Sequence, residues 1–209
     1  MADQARAVLV KDAVVGGLLF TRGLFVRSSP DDQHTTVRLD SGGELEVPTA
    51  NVHLANGDET PDDHAELTHL SEATVLENTR LRYADDRIYT WVSRILIAVN
   101  PFKPIEHLVG DAAMRSASGG GGAPHVYAVA ESALRELRRR RKHQSIVVSG
   151  ESGAGKSESN KLLLQYIVWV SPSTALSGQL NERLLQFDPV LAAFGNAKTV
   201  RSSVTSRRS

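Results

Sequence analysis

At 209 residues the chain has room for one large domain, or for a small domain joined to part of a larger one. Lysine plus arginine equals aspartate plus glutamate at 24 each, so no global field draws nucleic acid or an acidic membrane to it. Cysteine is absent, which excludes disulfide frameworks and thiolate metal sites, and no apolar run approaches the ~20 residues of a membrane span. A soluble intracellular protein is expected.

Residues 1–56 alternate apolar and polar positions between turn signals and predict a small β unit. Within it, TTVRLDSGGELEVP reads as a hairpin turning at Ser41-Gly42-Gly43. The run Ala13 to Phe20 is short and follows Asp3 and Asp12, which fits a strand better than a signal peptide. Residues 56–66, NGDETPDDHAE, are acidic and turn-rich, a domain boundary by composition. His64 and His69 have a ligand-like spacing but no cysteine partners, and are read as surface histidines. A helix N-capped at Ser71 follows, then a strand over Ile95–Val99 that stops at Asn100-Pro101. Residues 116–122, SASGGGG, have linker chemistry. From His125 the set Val126, Val129, Ala130, Ala133, Leu134, Leu137 traces one helix face. The five cations Arg138 to Lys142 that follow are read as the solvated C-terminal end of that helix, where positive charge complements the macrodipole.

The stretch SIVVSGESGAGKSES, residues 145–159, carries the chemistry. Gly150, Gly155, Lys156 and Ser157 fit G-x-x-x-x-G-K-[ST], the pattern of a phosphate-binding loop. Ile146, Val147 and Val148 read as a buried parallel strand, and the run from Leu162 to Val170 as a core helix, which is the context the motif requires. Gly150, Gly153 and Gly155 let backbone N–H groups turn inward around phosphate oxygens at the positive end of the helix. Lys156 would reach the β and γ phosphates, and Ser157 would offer its hydroxyl to Mg²⁺. The last segment, NERLLQFDPVLAAFGNAKTVRSSVTSRRS, reads as a helix broken near Asp188-Pro189, a second short helix and a basic tail.

Four phrases, LTHLSEATVLENTRLRYADDRIYTWVSRILIAVNPFK, HVYAVAESAL, QSIVVSGESGAGKSES and DPVLAAFGNAKTVR, stand in the order and spacing of the myosin heavy-chain motor head, which this chain resembles over residues 37–209. For residues 1–35 no such match is seen. The resemblance implies a partial α/β P-loop NTPase core, a mixed sheet with flanking helices, preceded by a small SH3-like β subdomain. Residues 1–56 would form that subdomain and 64–209 the N-terminal part of the motor domain. It also implies an ATP and Mg²⁺ site. Asn100, Pro101, Phe102 and Lys103 match the purine-binding loop, and Gly150, Glu151, Ser152, Gly153, Ala154, Gly155, Lys156, Ser157 and Glu158 match the P-loop and its first helical turn. Where the family has an aromatic tyrosine after the purine loop, this chain has Leu108 with His107 beside it.

Gly195 to Arg201 match the run into the first switch loop; by position Thr205 would sit near the γ-phosphate, Ser206 would be a second hydroxyl on Mg²⁺, and Arg207 a salt-bridge arginine. The run Ser202 to Ser209 departs from the family pattern, and the second switch, which holds the acidic partner of Arg207, does not occur before Ser209. The implied function is the ATP-binding part of an actin-based motor, in the cytoplasm on the cytoskeleton, with actin filaments and light chains as partners of the intact protein and no nucleic acid. Hydrolysis of ATP belongs to the intact motor, and this chain alone is expected to be inactive. Two other readings stand beside it: a truncated or pseudo-motor fragment that binds without turnover, and a non-motor P-loop protein such as a small-molecule kinase.

Overall fold

The computed structural model describes residues 6–11, 18–120 and 122–171, and its contacts divide the chain into two units, Met1–Arg87 with Trp91–Ser93 and Ile88–Thr90 with Arg94–Ser209. The first unit is built on a five-stranded sheet. Its strands are β1 (Ala7–Lys11), β2 (Phe20–Ser28), β3 (His34–Leu39), β4 (Glu44–Pro48) and β5 (Val52–Leu54), in the order β4-β3-β2-β1-β5 with every pairing antiparallel. The alternation read from residues 1–56 is therefore expressed as strands, and the Ser41-Gly42-Gly43 turn joins β3 to β4. Successive side chains of a strand point to opposite faces, and β1 is buried on both. Val8 and Val10 pack with Val37 and Val47, while Leu9 packs with Phe20 and Ala73. Gly23 in β2 is required by close approach, since a Cβ there would meet Arg38 O at 2.5 Å and Val37 Cγ1 at 2.8 Å. Of the run Ala13–Phe20, residues 13–17 lie outside those described, and β2 starts only at its last residue.

Helix α1 (Glu72–Ala84) opens at Ser71, as its sequence predicts, through a reciprocal cap: Ser71 Oγ accepts from Thr74 N–H at 3.2 Å and Thr74 Oγ1 accepts from Ser71 N–H at 2.9 Å. Its inward face is polar. Arg82, 2% exposed, donates to the carbonyls of Thr60 and Pro61, each at 3.2 Å, and to Asp62 Oδ1 at 2.6 Å. A buried guanidinium must have such partners to offset its desolvation. The acidic stretch thus supplies acceptors to α1 within one unit. His64 corrects the surface reading: it is fully buried, with Nε2 3.4 Å from Thr79 Oγ1 and Nδ1 unpartnered. Burial first, then the Arg82 charge, lowers its pKa against the opposing pull of Asp63. His69 is exposed as expected.

In the chain that follows, β6 (Tyr89–Val92) and β7 (Ile95–Ala98) form a two-stranded sheet, matching the strand read before Asn100. Helix α2 (Asp111–Ser118) takes in residues 116–118, so the linker reading of residues 116–122 is too broad. Helix α3 (Val126–Arg140) ends in exposed arginines, with Arg139 and Arg140 both paired to Glu136 and Arg141 in the left-handed C-cap conformation. Its buried face is Val126, Tyr127, Ala130 and Glu131, rotated from the predicted stripe so that Leu137 is left exposed. Helix α4 (Lys156–Val170) buries Leu162, Leu163 and Tyr166. The two helices meet through Tyr127 and Tyr166, stacked at 5.5 Å, and Tyr166 Oη donates to buried Glu131 Oε2 at 3.0 Å.

One expectation fails outright. Ile146, Val147 and Val148 form no strand; they pair with nothing among the described residues, and Val147 is 86% exposed. A parallel strand needs a neighbour reached by a crossover, and the described residues supply none. Accordingly the described sheets do not include a parallel one, and the mixed core sheet is not seen among them. Asp188-Pro189, the two last helices and the tail lie outside the described residues.

Candidate nucleotide-binding site

Three glycines shape the turn from residue 150 into α4, with φ of 157° at Gly150, 81° at Gly153 and 96° at Gly155. At Gly155, in the left-handed region beside the first helical residue, a side chain would be strained whatever the space around it. Gly155 is also the N-cap, and no side chain caps the helix. The first N–H groups of an α-helix have no intrahelical acceptor, so an uncapped glycine start presents donors and the positive end of the dipole together. Serine, threonine or aspartate at this position would satisfy those donors from within.

Lys156 lies over this turn: its ammonium donates to Gly150 O and to Glu151 O, both at 2.8 Å. Ala154 N–H donates to Glu151 O at 3.1 Å, closing the loop on itself. Ser157 and Glu158 are exposed in the first turn of α4, and Glu151, Ser152 and Ala154 are exposed along the loop. The structure also brings the other predicted segment here. Asn100 Nδ2–H donates to Gly153 O at 2.8 Å, joining the Asn100–Lys103 segment to the glycine loop. Asn100 Oδ1 accepts from Phe102 N–H at 2.9 Å, and Phe102 stands at φ 52° and is 62% exposed. Pro101 is half-buried and Lys103 exposed. Thr205 and Ser206 lie outside the described residues.

The second unit also holds a set of rings that the sequence reading left out. Tyr89, His125, Tyr127, Tyr166 and Trp169 follow one another with centroids 4.4 to 5.9 Å apart. His125 is the N-cap of α3: Nδ1 accepts from Tyr127 N–H at 3.0 Å, so Nε2 carries the proton and donates to Leu108 O at 2.8 Å. The bond at Nδ1 needs the neutral ring, and burial lowers its pKa to about 4 against the pull of Leu108 O, whose bond the charged ring would also make. Leu108 is thus fixed by its backbone. Burial, with smaller contributions from Tyr127 and Glu158, pushes Tyr89 up to about 12. A histidine directly before an apolar helical run was the available signal, since its ring nitrogen can cap as an Asn or Asp oxygen does.

The residues present fit a nucleotide. Glycines at positive φ open the loop, the uncapped helix start and the lysine ammonium are donors that phosphate oxygens would suit, and Ser157 carries an exposed hydroxyl that would suit a phosphate-bound Mg²⁺. No cluster of three or more histidine, cysteine or carboxylate side chains that could hold a metal occurs among the described residues. None of the described helices is long and apolar enough to cross a membrane.

Comparison with known proteins agrees with the motifs. The chain is 46% identical to Myosin heavy chain 95F of Drosophila melanogaster over 73% of its length and 12% of that protein. It is 41% identical to Unconventional myosin-VI of Homo sapiens over 90% of its length and 15% of that protein. With Myosin-7 of Arabidopsis thaliana it shares 46% identity over 70% of its length and 9% of that protein. The likeness to the human protein leaves a tenth of the chain outside, so it extends into residues 1–35, where the motifs alone gave no match. The chain spans less than a sixth of the length of each of these relatives. The family model for the Myosin head (motor domain) matches residues 61–208, and the chain belongs to that family.

Proposed function

We propose that this chain is the ATP-binding N-terminal part of an actin-based myosin motor, with residues 1–56 as its small SH3-like β subdomain and 64–209 as the start of the motor domain. The observation that carries the reading is the uncapped glycine start of α4 beneath the Lys156 ammonium. In this reading the backbone N–H groups of Gly150 to Ser157 hold phosphate oxygens, and Lys156 leaves the loop carbonyls for the phosphates. Ser157 orients the metal, and the segment that starts at Asn100 and carries Pro101, Phe102 and Lys103 borders the adenine end. Mg²⁺ supplies neutralisation of phosphate charge when bound. Thr205 and Ser206 belong to the first switch, where they would place water and complete the metal shell. In-line hydrolysis on such a site depends on positioning and on excluding bulk water. Coupling to actin filaments, light chains and a cytoskeletal setting belong to the same proposal. The small-molecule kinase reading is set aside by the family.

Calorimetric titration with Mg·ATP tests the phosphate assignment. A hydrogen bond to a charged group contributes about 1.5–3 kcal/mol, so Lys156→Ala is expected to weaken binding by roughly 10- to 150-fold. Equal affinities in the two proteins would remove the assignment.

A further inference from the structure

Asn100 spends both ends of its side-chain amide inside the protein. Nδ2–H holds Gly153 O at 2.8 Å across 53 residues of sequence, and Oδ1 holds Phe102 N–H at 2.9 Å. The second bond is an Asx turn, and it accompanies a left-handed backbone at Phe102 that a bulky side chain adopts only at a cost. The first bond acts on the glycine loop. The peptide plane between Gly153 and Ala154 is held at both ends, its carbonyl by Asn100 and its N–H by Glu151 O. Because that plane is rigid, fixing it sets the direction from which Gly155 and the first amides of α4 start. The side chain also lies against that turn, since a Cβ on Gly155 would sit 3.9 Å from Asn100 Cβ and Cγ.

We propose that Asn100 is a positioning residue, which sets the geometry of the phosphate loop from the Asn100–Lys103 segment, and that its task is not contact with the purine. The inference rests on the phosphate-loop reading above. Its three glycines give the loop more freedom to lose than other residues at those positions would. A bond from the end of β7, three residues or fewer from a paired strand, orders the loop before a ligand arrives. Affinity for phosphate groups then depends on Asn100 even when the ligand carries no base.

Magnesium pyrophosphate, which has no base, is the discriminating probe. Asn100→Ser retains a hydroxyl able to accept from Phe102 N–H but is too short to reach Gly153 O, and Asn100→Ala loses both bonds; neither changes the charge. In the full-length protein both substitutions are expected to lower pyrophosphate and ATP affinity by the same factor, about three- to tenfold. They should also quicken amide exchange at Ala154 and Gly155 before any ligand is added. Loss of ATP affinity with pyrophosphate affinity and exchange unchanged would make Asn100 a base contact and overturn the proposal, as would no change in either affinity. If wild-type protein binds neither ligand, the phosphate-loop reading itself fails; unaltered exchange in the variants would then overturn the bridge separately.

Discussion

Strand β1, Ala-Val-Leu-Val-Lys, and the segment Ser-Ile-Val-Val-Ser at residues 145–149 are nearly the same in composition and opposite in structure. In β1, Val8, Leu9 and Val10 are at most 2% exposed and pair with β2 on one side and β5 on the other. In the second segment Val147 is 86% exposed and no ladder forms among the described residues. An apolar β-prone run states a capacity to pair; whether it pairs depends on partners. Those of β1 come from antiparallel segments within the same unit, whereas a parallel partner must be delivered by a longer connection.

The sharpest way to break this comparison is by truncation. Val37→Ala, at a site with no exposure, is expected to destabilise the first unit by about 2–3 kcal/mol, and Val147→Ala by less than about 0.5 kcal/mol. Urea denaturation measures both. A comparable loss at Val147 would mean that residues 145–149 pair in solution.

Acid should act next most strongly, through the second unit. The pKa of His125 falls from about 6.5 in the unfolded chain to about 4 in the fold. Between those values the unfolded state holds more protons, so stability is intact above pH 6.5 and declines as pH falls toward 4, by at most about 1.4 kcal/mol per pH unit. His64, whose pKa is also lowered, contributes with the same sign in the first unit. His125→Asn keeps an acceptor for Tyr127 N–H and should flatten the decline of the urea midpoint between pH 7 and 5; an unchanged slope would remove His125 as its source. Gly155→Ala is smaller, about 1–2 kcal/mol, because φ is 96° there, and should appear as a lower melting temperature with weaker Mg·ATP binding. The smallest effect concerns the base. If Leu108 takes the place of an aromatic, as the resemblance implies, then with base stacking worth on the order of 1–3 kcal/mol competition should show ATP preferred over GTP only modestly; strong selectivity would assign the base to other groups, with exposed Phe102 the first to substitute.

What could be read from the sequence follows from the range of the interactions. The β3–β4 hairpin, the Ser71 cap and the uncapped glycine entry to α4 are set by neighbours a few residues away, and each was legible. His64 was misread because its burial comes from packing that composition does not encode, and the α3 face was rotated because Tyr127 and Glu131 pack on Tyr166, 35 to 39 residues on. The loop residues were legible from spacing, but the bond that ties Asn100 to Gly153 was not. Two segments 53 residues apart leave no pattern that reports their contact.

The central claim is that residues 150–157 receive nucleotide phosphates, and backbone amide chemical shifts during titration with Mg·ATP test it most directly. The account predicts that the amides of Gly153, Gly155, Lys156 and Ser157 shift together and saturably in the wild-type protein and fail to do so in Lys156→Ala. Saturable shifts confined to other residues, or the same shifts in the variant, would contradict it.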